Sequence, residues 1–389
     1  MDIDKLKALD VINQFVSLSN DRADDAVSLI VQSINEVSFA NGDEIVRIGD
    51  DADDGMYIII EGTADVLGAD GHKINELVRG DMIGELALIT DSPRAATVKA
   101  TSPMLLANIT RQVFEENALK NKKIYGAFMS MLYKRCTSLV AQRERIKSEL
   151  DIAARIQRSQ LTRDFDKFKE SNIDIYADML PAKEVGGDFY DAFYIDKRRI
   201  CFLVADVSGK GVPAAMFMTL ARTNIRNFSS MGLSLEQIVS MTNNQLCQNN
   251  DANMFVTAFI CVFDLEDNKL EYINAGHNLP YIKKGGSWSQ LIADANLVLG
   301  IMPDMHFVRQ ELVLNEPFSI FVYTDGVTEA LDKSNRFLGE NRLELFLKMN
   351  GPDAKSLVES VFVQLADFTR GAEQSDDITM LVFSNIAED

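Results

Sequence analysis

Between Arg111 and Gln160 the chain runs 50 residues without a proline and with a single glycine, Gly126. Apolar residues fall at Ile124, Phe128, Leu132, Cys136 and Leu139, then at Ile146, Leu150, Ala153 and Ile156. Spacings of three, four and seven predict one long amphipathic helix, or two meeting at a hinge in the charged stretch Gln142–Lys147. Such a helix divides the chain into a β-prone region before it and an α/β region after it. The expected domains are 1–118, a helical linker 119–160, and 161–389, which suits a length of 389 residues, too great for one core. The apolar stripe must be covered, either by the chain's own domains or by a second copy in a parallel two-helix coil, and both remain open here.

Residues 1 to about 36 read as helical through Leu9, Ile12 and Phe15 and again through Ala26, Leu29, Ile30 and Ile34. From Val37 short β-prone runs, MYIII at 56–60 and TVKA at 97–100 among them, alternate with turn signals at Asn41-Gly42, Glu61-Gly62 and Asp70-Gly71. Evenly spaced short strands predict a small barrel or jelly roll. Within this region GELALITDSPRAATVKA spans Gly84 to Ala100. A short helix starting near Gly84 would point backbone N–H groups at an anion, with Arg94 adding a charge-assisted contact to phosphate and Glu85 accepting from a sugar hydroxyl.

The formal net charge of −19 disfavours nucleic acid and anionic lipid as partners. The cysteines Cys136, Cys201, Cys247 and Cys261 form no CxxC pair and read as reduced thiols of a cytoplasmic protein. Neither a signal peptide nor an apolar run long enough to span a bilayer is visible. With histidine only at 72, 277 and 306, any metal would be held by oxygen.

The C-terminal region carries its acidic residues at strand ends. ICFLVADVSGKGVPAAMFM (200–218) is a buried-strand run that breaks at Asp206, turns at Gly209 and Gly211 and enters a helix with Pro213 in its first turn. EVGGDFYDAF holds Asp188 and Asp191, SIFVYTDGVTEA holds Asp325, and EQSDDITMLVF holds Asp376 and Asp377. Each alone reads as a cap or turn residue. Together, at the ends of strands of one α/β region, they point to two-metal phosphoester hydrolysis, in which two divalent ions about 3.5–4 Å apart are balanced by carboxylates and activate water. An all-oxygen site favours Mg²⁺ or Mn²⁺.

Two resemblances sharpen this reading. Gly84–Ala100, with the flanking GDEIVRIGD, GMYIIIEG and RGDMIG runs, resembles the phosphate-binding cassette of cyclic-nucleotide-binding domains, a β-roll with flanking helices. The resemblance implies that Glu85 holds the ribose 2′-hydroxyl and Arg94 the cyclic phosphate, with Gly84, Leu86, Ala87 and Ala95 lining the phosphate turn. Ala95, where cGMP-selective domains often carry Thr, leans towards cAMP. Tyr125, Phe128 and Tyr133 are candidates to cover the adenine. From about Leu150 onward, PAKEVGGDFYD, VADVSGKGVPAAMFM, NAGHNLPY, YTDGVTEA and SDDIT resemble the 2C-type (PPM) metal-dependent serine/threonine phosphatases, in the bacterial branch of stage II sporulation protein E and the sigma-factor-regulatory phosphatases.

The implied fold is an αββα sandwich. Asp206 would bridge two Mn²⁺ or Mg²⁺ ions with the Val207 carbonyl beside it, Asp325 and Asp376 would complete one shell, and Asp188 would serve the other. Asp191 and Asp377 would lie behind these ligands. The implied substrate is a small phosphoprotein such as an anti-sigma-factor antagonist. The phosphate-gripping Arg of the animal enzymes is missing from the first motif, where only Lys183 is near. His277 reads as turn-stabilising and Lys210 as solvated. The expectation is a bacterial phosphatase switched by cAMP and dimeric through its linker; the alternative is a catalytically silent cAMP-responsive protein that sequesters a partner.

Overall fold

The computed structural model describes residues 34–51, 54–69, 71–85, 92–116, 122–348 and 353–385. It divides into two units, Met1–Arg145 and Ile146–Asp389. The helices expected within residues 1–33 lie outside the described residues.

In the first unit, eight short strands follow in order: β1 (Asn35–Phe39), β2 (Glu44–Val46), β3 (Met56–Glu61), β4 (Ala64–Leu67), β5 (Lys73–Leu77), β6 (Met82–Ile83), β7 (Thr97–Ala100) and β8 (Met104–Ile109). They build two four-stranded antiparallel sheets, ordered β1-β8-β3-β6 and β2-β7-β4-β5. MYIII and TVKA are strands β3 and β7, as their composition predicts. Every residue of MYIII is buried, while TVKA alternates buried with exposed positions from Val98 on. Between the sheets Tyr57, Ile59, Ile83, Val98 and Leu106 form a core of their own. The short helix α1 (Arg111–Phe114) is capped by the Thr110 hydroxyl.

Helix α2 (Lys122–Gln160) is continuous for 39 residues, so the charged stretch Gln142–Lys147 does not break it. Straight-chain Gln, Arg, Glu and Lys are good helix formers and need no hinge. Its last turns belong to the second unit. Gln157 is buried there, and its side-chain amide donates to the Gly186 carbonyl at 2.6 Å while accepting from the Gly186 N–H at 3.2 Å.

The second unit contains β9 (Ile173–Leu180), β10 (Phe189–Tyr194), β11 (Arg199–Val207), β12 (Val256–Asp264), β13 (Lys269–Ala275), β14 (Tyr281–Lys284), β15 (Ser287–Gln290), β16 (Ala295–Asn296), β17 (Gln310–Val313), β18 (Phe318–Tyr323) and β19 (Ile378–Asn385). One sheet has the order β10-β11-β12-β13-β16, with β17 also on β13; the other has the order β15-β14-β18-β19-β9. Continuous apolar sequence makes β11 and β12 central strands, whereas IDIYADML in β9 alternates as a half-buried strand should. Phe202 of β11 stacks on Phe383 of β19 with centroids 4.3 Å apart, and Phe263 and Phe318 surround them, so the two sheets share one aromatic core.

Helices α3 (Val212–Ser229) and α4 (Leu235–Cys247) cover the first sheet. Pro213 opens α3, and α4 begins with a capping box between Ser234 and Gln237. The short α5 (Asp325–Thr328) follows β18, while α6 (Gly339–Lys348) and α7 (Ala354–Phe368) lie on the second sheet's side.

The Asp191 carboxylate is fully buried, away from the other motif carboxylates. It accepts from the Thr162 hydroxyl at 2.6 Å and from Nε and Nη2 of Arg226, and Arg222 Nε lies 3.0 Å from it. This ties Thr162, two residues after the end of α2, to β10 and α3. Asp191→Ala would leave two arginines without their counter-charge; we expect a loss of about 2–4 kcal/mol in denaturant unfolding of this unit, with Asp191→Asn losing less.

Candidate active site

The strand ends decide the site. Asp188 stands immediately before β10, Asp206 near the end of β11, Asp325 after β18, and Asp376 just before β19. Because β10 and β11 pair antiparallel in one sheet, and β18 and β19 in the other, these four positions come to the same end of the stacked sheets. Asp188 is buried, with its Oδ2 accepting from the Thr324 hydroxyl at 2.7 Å. Its pKa is raised well above the usual carboxylate range, first by burial and then by the negative charges of Asp206 and Asp377.

Burial and the charges of Asp325, Asp376 and Asp377 push Asp206 up to about 7, although its contact with Asp188 favours the ionised form. Asp325 is raised as well, by burial, Glu329 and Asp376, against the opposing charge of Lys210. Among the described residues, no three His, Cys, Asp or Glu side chains are drawn together into a finished metal cage. The chemistry of the donors nevertheless fits a divalent cation. Buried carboxylates in mutual contact require a proton or a cation between them, and an oxygen-only set suits Mg²⁺ or Mn²⁺.

The backbone around the cluster is held by residues whose role the motifs alone did not reveal. Asp377 accepts from the Ala182 N–H and the Gly187 N–H, both at 2.7 Å, and pins the Gly186-Gly187 turn that presents Asp188. A Cβ on Gly186 would overlap the Asp377 carboxylate, and one on Gly187 would stand 2.9 Å from the Val207 carbonyl, so both positions require glycine. The Thr324 hydroxyl that donates to Asp188 also accepts the Thr379 N–H at 3.0 Å, linking the edge of β10 to β19. Thr preceding Asp in YTDG was the available signal for this role.

His277 is buried in a turn. Its N–H donates to Asn274 at 2.7 Å, Nδ1 meets the Thr257 hydroxyl at 2.9 Å, and burial pulls its pKa down to about 4, so it stays neutral. Lys210 is not simply solvated: its ammonium donates to Asp376 Oδ2 at 2.8 Å and to the Ser375 carbonyl. Lys183 makes no ion pair among the described residues.

In the first unit, a cavity of about 470 Å³ is lined by Gly84, Glu85, Arg94 and Ala95 together with Val46, Val66 and Leu77. Leu86 and Ala87 lie outside the described residues, as do the side chains of Tyr125 and Phe128; Tyr133 is exposed. The buried Arg94 guanidinium donates to the Gly55 carbonyl at 2.7 Å, to the Gly84 carbonyl at 3.2 Å and to the Asp54 carboxylate. Asp54 also accepts from the Tyr57 hydroxyl at 2.7 Å, an arrangement sequence reasoning missed inside the acidic run before β3.

Two stacked sheets with helices on their outer faces and carboxylates converging at one end make a PP2C-like fold. The stage II sporulation protein E (SpoIIE) family model matches residues 196–385, and the cyclic nucleotide-binding domain model matches residues 36–121. Phosphoserine phosphatase RsbU of Bacillus subtilis is 31% identical over 258 residues, covering 65% of this chain and 74% of RsbU. The SiaA-PP2C domain of Pseudomonas aeruginosa superposes with a TM-score of 0.55 at 23% identity, over 62% of this chain and 98% of that one. A cAMP-dependent protein kinase regulatory subunit of Yarrowia lipolytica is 34% identical over 110 residues, 27% of this chain and 29% of that protein.

The chain belongs to the SpoIIE family of serine phosphatases, with a PP2C-like fold in its second unit, and carries a cyclic nucleotide-binding domain ahead of the phosphatase. No helix among the described residues is long and apolar enough to cross a membrane.

Proposed function

We propose that the chain is a protein serine/threonine phosphatase controlled by a cyclic nucleotide, cAMP in preference to cGMP. It hydrolyses phosphoserine or phosphothreonine on a separate small signalling protein, of the kind represented by anti-sigma-factor antagonists. The observation that carries the reading is the contact between the Asp188 and Asp206 carboxyls within the field of Asp325 and Asp376. Asp206, with the Val207 carbonyl, would serve both of two Mn²⁺ or Mg²⁺ ions; Asp325 and Asp376 would complete one set of ligands and Asp188 the other. The cations supply Lewis acidity and an activated water for in-line attack on the phosphoryl group. The protein's own part is to hold these oxygens in place. Thr324 fixes the Asp188 carboxylate, and Asp377 fixes the glycine turn beneath it.

The same reading takes 1–118 as a β-roll sensor, 119–160 as a linker and 161–389 as an αββα phosphatase, working in the cytoplasm. Reduced Cys201, Cys247 and Cys261 are in keeping with that compartment. Ala95 beside Arg94 in the cavity supports cAMP, and Glu85 would meet the ribose. Pairing of α2 with a second copy is supported by the exposure of Val140, Ile146 and Ile156. Light scattering of the full chain tests it, and a monomeric mass at micromolar concentration would rule it out.

The central test is phosphatase activity of the purified chain with Mn²⁺ on a phosphoserine protein, titrated with each nucleotide. A rate change at lower cAMP than cGMP is expected. Absence of metal-dependent turnover removes the enzymatic reading, and a flat response to both nucleotides removes the regulatory one.

A further inference from the structure

The turn Ser208–Gly211 carries one charged side chain, and it points at the carboxylates. Lys210 Nζ donates to Asp376 Oδ2 at 2.8 Å and to the Ser375 carbonyl, and its charge also reaches Asp325. Among the described residues, no other lysine or arginine forms an ion pair with Asp188, Asp206, Asp325 or Asp376. Gly209 and Gly211 on either side of it sit at φ 86° and 79°, and nothing lies within 4 Å of where a Cβ would be on either, so the turn stands in open space. The lysine side chain is 37% exposed, so release into solvent costs little.

We propose that Lys210 is a built-in competitor cation: its ammonium occupies the Asp325/Asp376 half of the site and must be displaced when a divalent ion is taken up there. This rests on the reading of Asp325 and Asp376 as metal ligands. The physical argument is charge balance. Carboxylates crowded at one sheet end repel one another, and a flexible monovalent cation on Asp376 relieves that repulsion, weakly enough for a divalent ion to win. Such a residue sets the free cation concentration at which the second ion binds.

Calorimetric titration of Mn²⁺ into the full-length, metal-free chain tests this without reference to turnover. Lys210→Met keeps the stem and removes the charge; it is expected to tighten the weaker Mn²⁺ site about three- to tenfold. Lys210→Arg retains the charge and should bind Mn²⁺ as the parent does. Asp376→Asn separates the two levels of inference. If it leaves the number of Mn²⁺ ions unchanged, the ligand assignment itself is wrong. If it loses one ion while Lys210→Met binds Mn²⁺ no more tightly than the parent, the assignment stands and the competitor role is overturned.

Discussion

Asp206→Asn should abolish metal-dependent hydrolysis while making the metal-free protein more resistant to heat near neutral pH. The first effect follows from its central place in the cluster: loss of the ligand expected to serve both cations should lower kcat by at least about 10²–10³-fold. The second follows from the raised pKa. In the unfolded chain an aspartate titrates near its ordinary value of 3.8, but in the folded, metal-free protein Asp206 titrates at about 7. The folded state therefore binds the proton more tightly.

Its contribution to stability is fully present below pH 4 and is lost as the pH rises through 7. A shift of this size corresponds to about 2–4 kcal/mol at pH 8, shared with Asp188, and in a unit of this length to a rise of roughly 5–10 °C for the Asn variant. Melting curves in EDTA at pH 5 and pH 8 check it: the gain of Asn over Asp should be large at pH 8 and small at pH 5. Equal gains at both would show that the Asp206 carboxyl is not under the electrostatic pressure described. With Asp206 as a ligand, saturating Mn²⁺ should reverse the order at pH 8, because a bound ion stabilises the parent and not the variant.

Arg94→Ala should weaken cAMP binding at least about 100-fold, since the pocket then offers no side-chain cation to a phosphate. The guanidinium is committed to the Gly55 and Gly84 carbonyls and to Asp54, so the same change also loosens the β2–β3 and β6 ends of the sensor. For this reason Arg94→Lys is the informative companion. It preserves charge but not the planar fork, and should bind with intermediate affinity if the phosphate is the ligand's anchor. Calorimetry with cAMP on the full chain decides: undiminished affinity in Arg94→Ala would remove the 470 Å³ cavity as the nucleotide site.

The motifs carried much of this. The strand–Asp–Gly turn–helix of 200–218 is local, and it folds as read: β11, a glycine turn, then α3 opened by Pro213. The strands MYIII and TVKA, the long helix through 122–160 and the turn role of His277 were legible for the same reason, since each depends on neighbours a few residues away. The hinge considered at Gln142–Lys147 is absent, because charged but helix-forming residues interrupt nothing. Missed were contacts between distant segments: Asp54 on Arg94, Thr324 on Asp188, Asp377 on the glycine pair, and Lys210 on Asp376.

By itself, the sequence determined which residue types stand at strand ends, where the chain turns and which elements are helices, because backbone propensity and side-chain periodicity act over short range. Only the tertiary structure decided which acidic groups share a field and which are neutralised by a structural partner. Asp188 and Asp191 are three residues apart, yet one joins the carboxylate cluster and the other is spent on Arg222 and Arg226. The pairing of β10 with β11 and the approach of β19 from the other sheet set those distances, and electrostatic energy depends on distance in space and on burial, neither of which sequence separation encodes.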